Sequence, residues 1–204
     1  MIGRAIICRC HDEENQGFRI PGGLSEWELA PVINQSIVKV CNQADLIARC
    51  LEDTLYSRIQ QINIFNEFLA RSCGSPLAAV EVHCNNHPDP GNTGFFAAAH
   101  WRSYHARELA ACILRRMREA FPSRRDQQMN LVSYRKRWIC HRKEYRTRGI
   151  KPLAFLIQTR PPAVIIEPAN LSNVYDAEWI SDAENRAAVG EAVGRGIVDY
   201  FKEV

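Results

Sequence analysis

The sequence predicts a single α/β domain in three layers, with a central twisted, mostly parallel or mixed sheet and helices on both faces. Short apolar runs alternate with longer segments whose apolar residues recur at helical spacing. Three of the short runs end on a histidine or a glutamate, the pattern of strands that deliver side chains to a cleft at a sheet edge. A chain of 204 residues, 46% hydrophobic and 24% charged, is long enough to bury one core.

Residues 3–8 open the chain as a strand, and 12–24, rich in acids, Gly and Pro, leave it as a loop. Ser25 can cap the helix that follows. Leu29, Ile33, Ile37 and Val40 then mark one face, so 26–42 is a helix, with Pro31 near its first turns where proline is best tolerated. A short strand is expected at 45–49 and a helix at 54–72, where Leu55, Ile59, Ile62, Phe65 and Leu69 form a stripe. Gly74, Ser75 and Pro76 stop that helix before a central buried strand, Ala78–Val82, which runs into His83. A brief strand at 94–98 and a strong helix at 101–121 follow, the latter closed by Pro122. Residues 123–147 are polar and basic, with Tyr134, Trp138 and Tyr145 scattered among them, and look like an insertion into the single domain 1–204. Two strands are expected at 153–158 and 162–167, joined by a turn at Arg160-Pro161-Pro162. The final helix, 184–202, turns Ala188, Val189, Ala192, Val193, Ile197 and Tyr200 inward.

No apolar run approaches the roughly 18 residues that cross a bilayer. The start, MIGRAIICRC, is charged too early to read as a secretory signal, so synthesis without such a leader is expected. The eight cysteines are irregularly spaced, and Cys8, Cys41 and Cys112 sit in apolar runs, which points to reduced, buried thiols. Cys8 and Cys10 make only a C-x-C with no second pair, so a four-thiolate structural zinc is not expected. The net charge of +3 conceals a local excess: Arg115–Arg148 holds twelve Lys/Arg against Glu119, Asp126 and Glu144, hence +9, leaving −6 elsewhere.

Chemistry gathers at the ends of the apolar runs. IICRCH ends on His11, AAVEVH ends on His83, and PPAVIIEP carries Glu167. A catalytic zinc takes three protein ligands and keeps a position open for water. His11 and His83 are candidates, and Glu26 or Glu28, at the start of the first helix, offers the third. Either glutamate also suits a helix first turn for its dipole alone. A carboxylate between VII and a proline, as Glu167 is, would be costly to desolvate without a role. It suits the group that takes a proton from water and passes it on in metal-assisted hydrolysis. His87, in the loop after His83, is a further candidate for substrate contact, while His100, His105 and His141 read as surface or helix residues.

These residues, in this order, resemble the zinc-dependent N-acetylmuramoyl-L-alanine amidases of the amidase-3 type over nearly the whole chain. IICRCH stands at the family's first strand and histidine, EWELAPVI at its helix-opening glutamate, and VEVHCN at its Ile-His-x-Asn strand. Arg49, Leu55, Arg58 and Asn63 fit the run between them. Arg148, Gly149 and Lys151 match an Arg-Gly-x-Lys stretch, PPAVIIEP the closing catalytic strand, and SNVYDAEWI the family's ending. The chain departs from the pattern around the first histidine, where Cys8, Cys10 and Asp12 replace Asp and two glycines, and after Glu167, where Pro168, Ala169 and Asn170 stand.

The resemblance implies one Zn²⁺ per chain, bound by His11, Glu26 and His83, with Glu28 in reserve and Glu167 as catalytic acid and base. It implies a peptidoglycan or muropeptide substrate, cleaved between N-acetylmuramic acid and L-alanine by a monomer with no nucleic-acid partner. A leaderless amidase would reach the wall, periplasmic or extracellular, as a lysin or a delivered effector. The basic insertion suits the anionic groups of a wall. Other readings are a zinc amide hydrolase or carboxypeptidase acting on stem peptides or small amides, and a non-catalytic basic module that binds nucleic acid.

Overall fold

The computed structural model describes residues 2–124, 126–132 and 153–203. Most of the basic stretch at about 123–147, with Tyr134, Trp138 and Tyr145, lies outside the described residues, as do Arg148, Gly149 and Lys151. The strands are β1 (Arg4–Arg9), β2 (Ile47–Leu51), β3 (Leu77–Val82), β4 (Phe95–His100), β5 (Asp126–Val132) and β6 (Ala163–Glu167). The helices are α1 (Glu26–Gln43), α2 (Leu55–Ser72), α3 (Tyr104–Ala120), α4 (Leu153–Gln158), α5 (Val174–Ser181) and α6 (Ala183–Glu203).

The strands form one mixed sheet in the order β2–β1–β3–β6–β4–β5. β2, β1, β3 and β6 run parallel; β4 is antiparallel to β6 and parallel to β5. Side chains alternate across the sheet. Ile7, Val80, Val82 and Ile166 pack under α1, α3 and α6, against Leu29, Ile33, Ile113 and Ile197. Ile6, Cys8, Ala79 and Ile165 face the other way, onto Ile62 and Leu69 of α2 and Phe155 of α4. Every residue of β3 is buried, as a central strand covered on both faces requires.

Two sequence expectations need correction. Residues 153–158 are not a strand but the short helix α4. An apolar run of this length fits either state by periodicity alone. Tertiary context decides it: both edges of β6 are taken, by β3 and β4, so no adjoining place remains for a sixth-strand hairpin partner. Phe155, Leu156 and Thr159 are buried at helical spacing on one side. The strand expected at 45–49 begins at Ile47, because Asp45 takes a positive φ of 61° and ends the turn after α1.

The ends of α1 and β1 are locked together. Ser25 caps α1 through a full capping box: its hydroxyl accepts the Glu28 N–H, and Glu28 Oε2 accepts the Ser25 N–H at 2.8 Å. Pro31 removes the amide that would bond the carbonyl of Trp27, four residues back. Arg9, at the end of β1, donates its Nε–H to that freed carbonyl at 2.9 Å and lies over the Trp27 ring, 3.8 Å from its centre. On the same face α6 presses close to its neighbours. A β-carbon at Gly190 would lie 2.4 Å from the Ile33 carbonyl oxygen, and one at Gly196 2.4 Å from the Ile113 Cα.

Candidate metal centre and general base

Three parallel strands, β1, β3 and β6, stop at one edge of the sheet. Their register sets which side chains meet there. Arg9 pairs with Val82, and Val82 with Ile166, so His83 emerges between the end of β1 and Glu167. The ladder continues past β3, with the His83 N–H donating to the Ile166 carbonyl at 2.9 Å and the Asn85 N–H to Ala169 at 2.8 Å. His83 therefore stands on paired backbone rather than on a free loop.

Glu26 opens α1 directly beside this edge. Its Oε2 lies 3.1 Å from His11 Nε2 and 3.4 Å from His83 Nδ1. The two imidazoles meet edge to face, with centres 5.2 Å apart. Two backbone amides hold the carboxylate: Phe18 donates to Oε1 at 2.9 Å and Cys84 to Oε2 at 3.1 Å. His11, Glu26, His83 and also Cys10 each offer a ligand atom, all within 4.8 Å of one another, so the described residues contain a group able to hold a metal ion. Glu28 points elsewhere, to Ser25 and to Arg19 at 2.9 Å.

Ionisation in this cluster is coupled. Burial pushes the Glu26 carboxyl up, but hydrogen bonds with His11 and His83 outweigh it and hold the group at about 2. Burial pushes His83 down, but Glu26 and then Glu81 raise it to about 10. Glu167 behaves in the opposite way. Burial, helped by the charges of Glu26 and Glu81 and opposed by His83, lifts it to about 8. The residue keeps some exposure, yet its Oε2 is buried with no hydrogen-bond partner. An orphaned carboxylate oxygen within electrostatic reach of the His83 imidazole and of the Glu26 and Glu81 carboxylates marks a place for a proton or a substrate group.

The wall behind the site joins residues that the sequence singles out, Arg58, Asn63 and His87, to others that it does not, Gly17 and Glu81. Gly17, at φ +73°, lies so close to the cluster that a β-carbon would sit 2.4 Å from His11 Nε2 and 2.9 Å from Glu26 Oε1. Glu81 and Arg58, each 1% exposed in the side chain, pair at 2.7 Å behind His83. The carboxylate inside the apolar run of β3 is the sequence sign that a cation must be buried with it. Asp176 of α5 accepts from the Gly94 and Asn170 amides, both at 2.8 Å, and from Arg124 at 2.6 Å, and so fastens the loop after His83. His87 is 2% exposed, and its Nδ1 accepts the Asp89 N–H at 3.1 Å, which makes it part of the turn. Asn63 ties α2 to the end of α4, taking the Arg160 N–H at 2.8 Å and donating to the Gln158 carbonyl at 2.9 Å. The described cysteines are free thiols.

A family model described as N-acetylmuramoyl-L-alanine amidase matches residues 6–199. Among solved structures, N-acetylmuramoyl-L-alanine amidase AmiC2 of Nostoc punctiforme superposes with a TM-score of 0.75 at 16% identity, covering 98% of this chain and 97% of that one. The catalytic domain of CwlV, an amidase from Bacillus (Paenibacillus) polymyxa var. colistinus, gives 0.73 at 15% identity, covering 98% and 99%. The amidase Ami1 of Mycobacterium smegmatis gives 0.73 at 13% identity, covering 100% and 99%. No curated protein matches the chain by sequence.

Proposed function

We propose, for a chain that belongs to the N-acetylmuramoyl-L-alanine amidase family, that His11, Glu26 and His83 hold one zinc ion and that Glu167 moves the proton. The hydrolase activity of that family is the activity of this protein: it cuts the amide between N-acetylmuramic acid and L-alanine in the cell wall. The single observation that carries the site assignment is the meeting of His11, Glu26 and His83, distant in sequence, within ligand reach of one another. Two nitrogens and one carboxylate oxygen form the donor set of a hydrolytic zinc. Zinc bound there would supply a Lewis acid for the scissile carbonyl and lower the pKa of water.

The remaining work falls to the chain's own groups. Glu26 stays ionised and offers its Oε2 between the two imidazoles. Its two amide donors keep it from following a substrate out of place. Glu167 is the general base: the buried Oε2 takes a proton from the attacking water and returns it to the L-alanine nitrogen as the amide breaks. Its position between a protonated and an ionised form near neutral pH suits that exchange. All four side chains come from one chain, which supports action as a monomer on wall material in the periplasm or outside the cell. No described helix is long and apolar enough to cross a membrane. Basic residues in 123–147 would add attraction for an anionic wall as part of a single domain.

The test is the product. Mass spectra of digested peptidoglycan should contain intact stem peptides that begin at L-alanine. Fragments cut within the stem peptide would instead identify a carboxypeptidase.

A further inference from the structure

We infer that Glu81 and Arg58 are positioning residues that fix the proton of His83 on Nε2, so that Nδ1 is the atom offered to metal. This rests on the metal-centre reading above. Glu81 lies on the same sheet face as His83, two residues earlier. Its Oε2 is 3.2 Å from His83 Nε2, and its Oε1 accepts from Arg58 Nη2 at 2.7 Å. His83 Nδ1, on the other side of the ring, is the nitrogen that faces Glu26 at 3.4 Å. An ionised carboxylate can only accept, so it requires a proton on the nitrogen it faces. A neutral imidazole carries one proton, and placing it on Nε2 leaves the Nδ1 lone pair toward Glu26.

Arg58 makes the arrangement rigid. It has donors only and is 1% exposed, so the Glu81 oxygen it meets must accept. The same Nη2 also donates to the Cys10 carbonyl at 3.0 Å, one residue before His11. Nη1 donates to the Asp53 carbonyl at the start of α2. One guanidinium thus braces the strand end behind each imidazole. Glu81 is more than a counter-charge for Arg58, because that task occupies one oxygen and the other is aimed at the ring.

Glu81→Gln separates the roles. Its carbonyl oxygen must stay with Arg58, so the NH₂ group faces Nε2 and demands that it accept. The proton then belongs on Nδ1, where metal should bind. Chelator competition should show zinc binding weakened roughly 10- to 100-fold, with the parent's circular dichroism spectrum but a lower melting temperature, since Arg58 loses its buried counter-charge. In the zinc-loaded parent, ¹⁵N spectra of His83 should show a protonated Nε2 and a metal-shifted Nδ1. Metal on Nε2, or a Gln variant that binds zinc as tightly as the parent, overturns the inference. If the variant does not fold, the parent spectra still decide. A parent that binds no zinc removes the metal centre as well, so the two failures are distinct.

Discussion

Gly17 and His11 touch: no side chain larger than hydrogen fits between the Gly17 α-carbon and the His11 imidazole, since a β-carbon there would lie 2.4 Å from Nε2. The loop that carries Gly17 folds back on α1, and Phe18 holds Glu26 from the same turn. One glycine therefore sets how closely the loop closes over two of the proposed ligands.

Gly17→Ala should harm the site from both directions. An alanine at φ +73° carries about 1–2 kcal/mol of backbone strain. Its methyl group must also displace His11 or Glu26. Zinc affinity should fall at least about tenfold (roughly 1.4 kcal/mol) with a lower melting temperature. Isothermal titration is the check, and unchanged affinity would remove the contact from the account of the site.

Glu167→Gln keeps the size of the side chain and removes its basicity. Turnover should drop by roughly 100-fold or more, the range of a general base, while zinc content stays near one per chain. Metal analysis beside muropeptide release separates the two effects. Retained turnover would exclude Glu167 as the proton carrier.

Metal-free protein should lose stability as pH rises. His83, raised to about 10, contributes stability that is full below its unfolded value of about 6.5 and is lost toward pH 10. Glu167, an acid raised to about 8, destabilises the fold increasingly as pH climbs from about 4.3, its unfolded value, through 8. Glu26, held at about 2, acts oppositely and is lost only on acidification below about 4.3. Calorimetry after chelation should place the highest melting temperature at mildly acidic pH, with a decline toward pH 10. Zinc binding releases the His83 proton, so the melting shift on adding zinc should grow over the same interval. A melting temperature that climbs from pH 7 to 10 without metal contradicts this.

Asp176→Ala should cost about 3 kcal/mol or more, because it leaves Arg124 and two backbone amides without their shared buried acceptor. Denaturant unfolding measures the loss. A change below about 1 kcal/mol, the range of an exposed pair, would mean that the loop after His83 is fastened by other contacts.

If the basic stretch steers the protein to an anionic wall, wall-degrading activity should fall steeply as salt screens it over a Debye length of about 10 Å at 0.1 M. Activity measured on isolated walls across a salt series is the test, and a flat profile would assign the stretch no steering role.

The layered α/β plan and the ligand-type side chains at the strand ends are legible in the amino-acid sequence. Apolar periods specify most of the strands and helices, though not β5, α4 or α5, and a ligand-type residue closing an apolar run is visible without coordinates. The capping signal at Ser25 even located the start of the helix that presents Glu26. Tertiary structure alone decided the rest. LAFLIQ became α4 because β3 and β4 already flank β6, a fact about neighbours that no local period contains. Glu26 rather than Glu28 faces the imidazoles because the capping box claims Glu28. Gly17, Glu81, Arg58 and Asp176 act through contacts with segments far along the chain. Such contacts depend on strand register and helix placement, and these are set by packing the whole core, not by any single stretch.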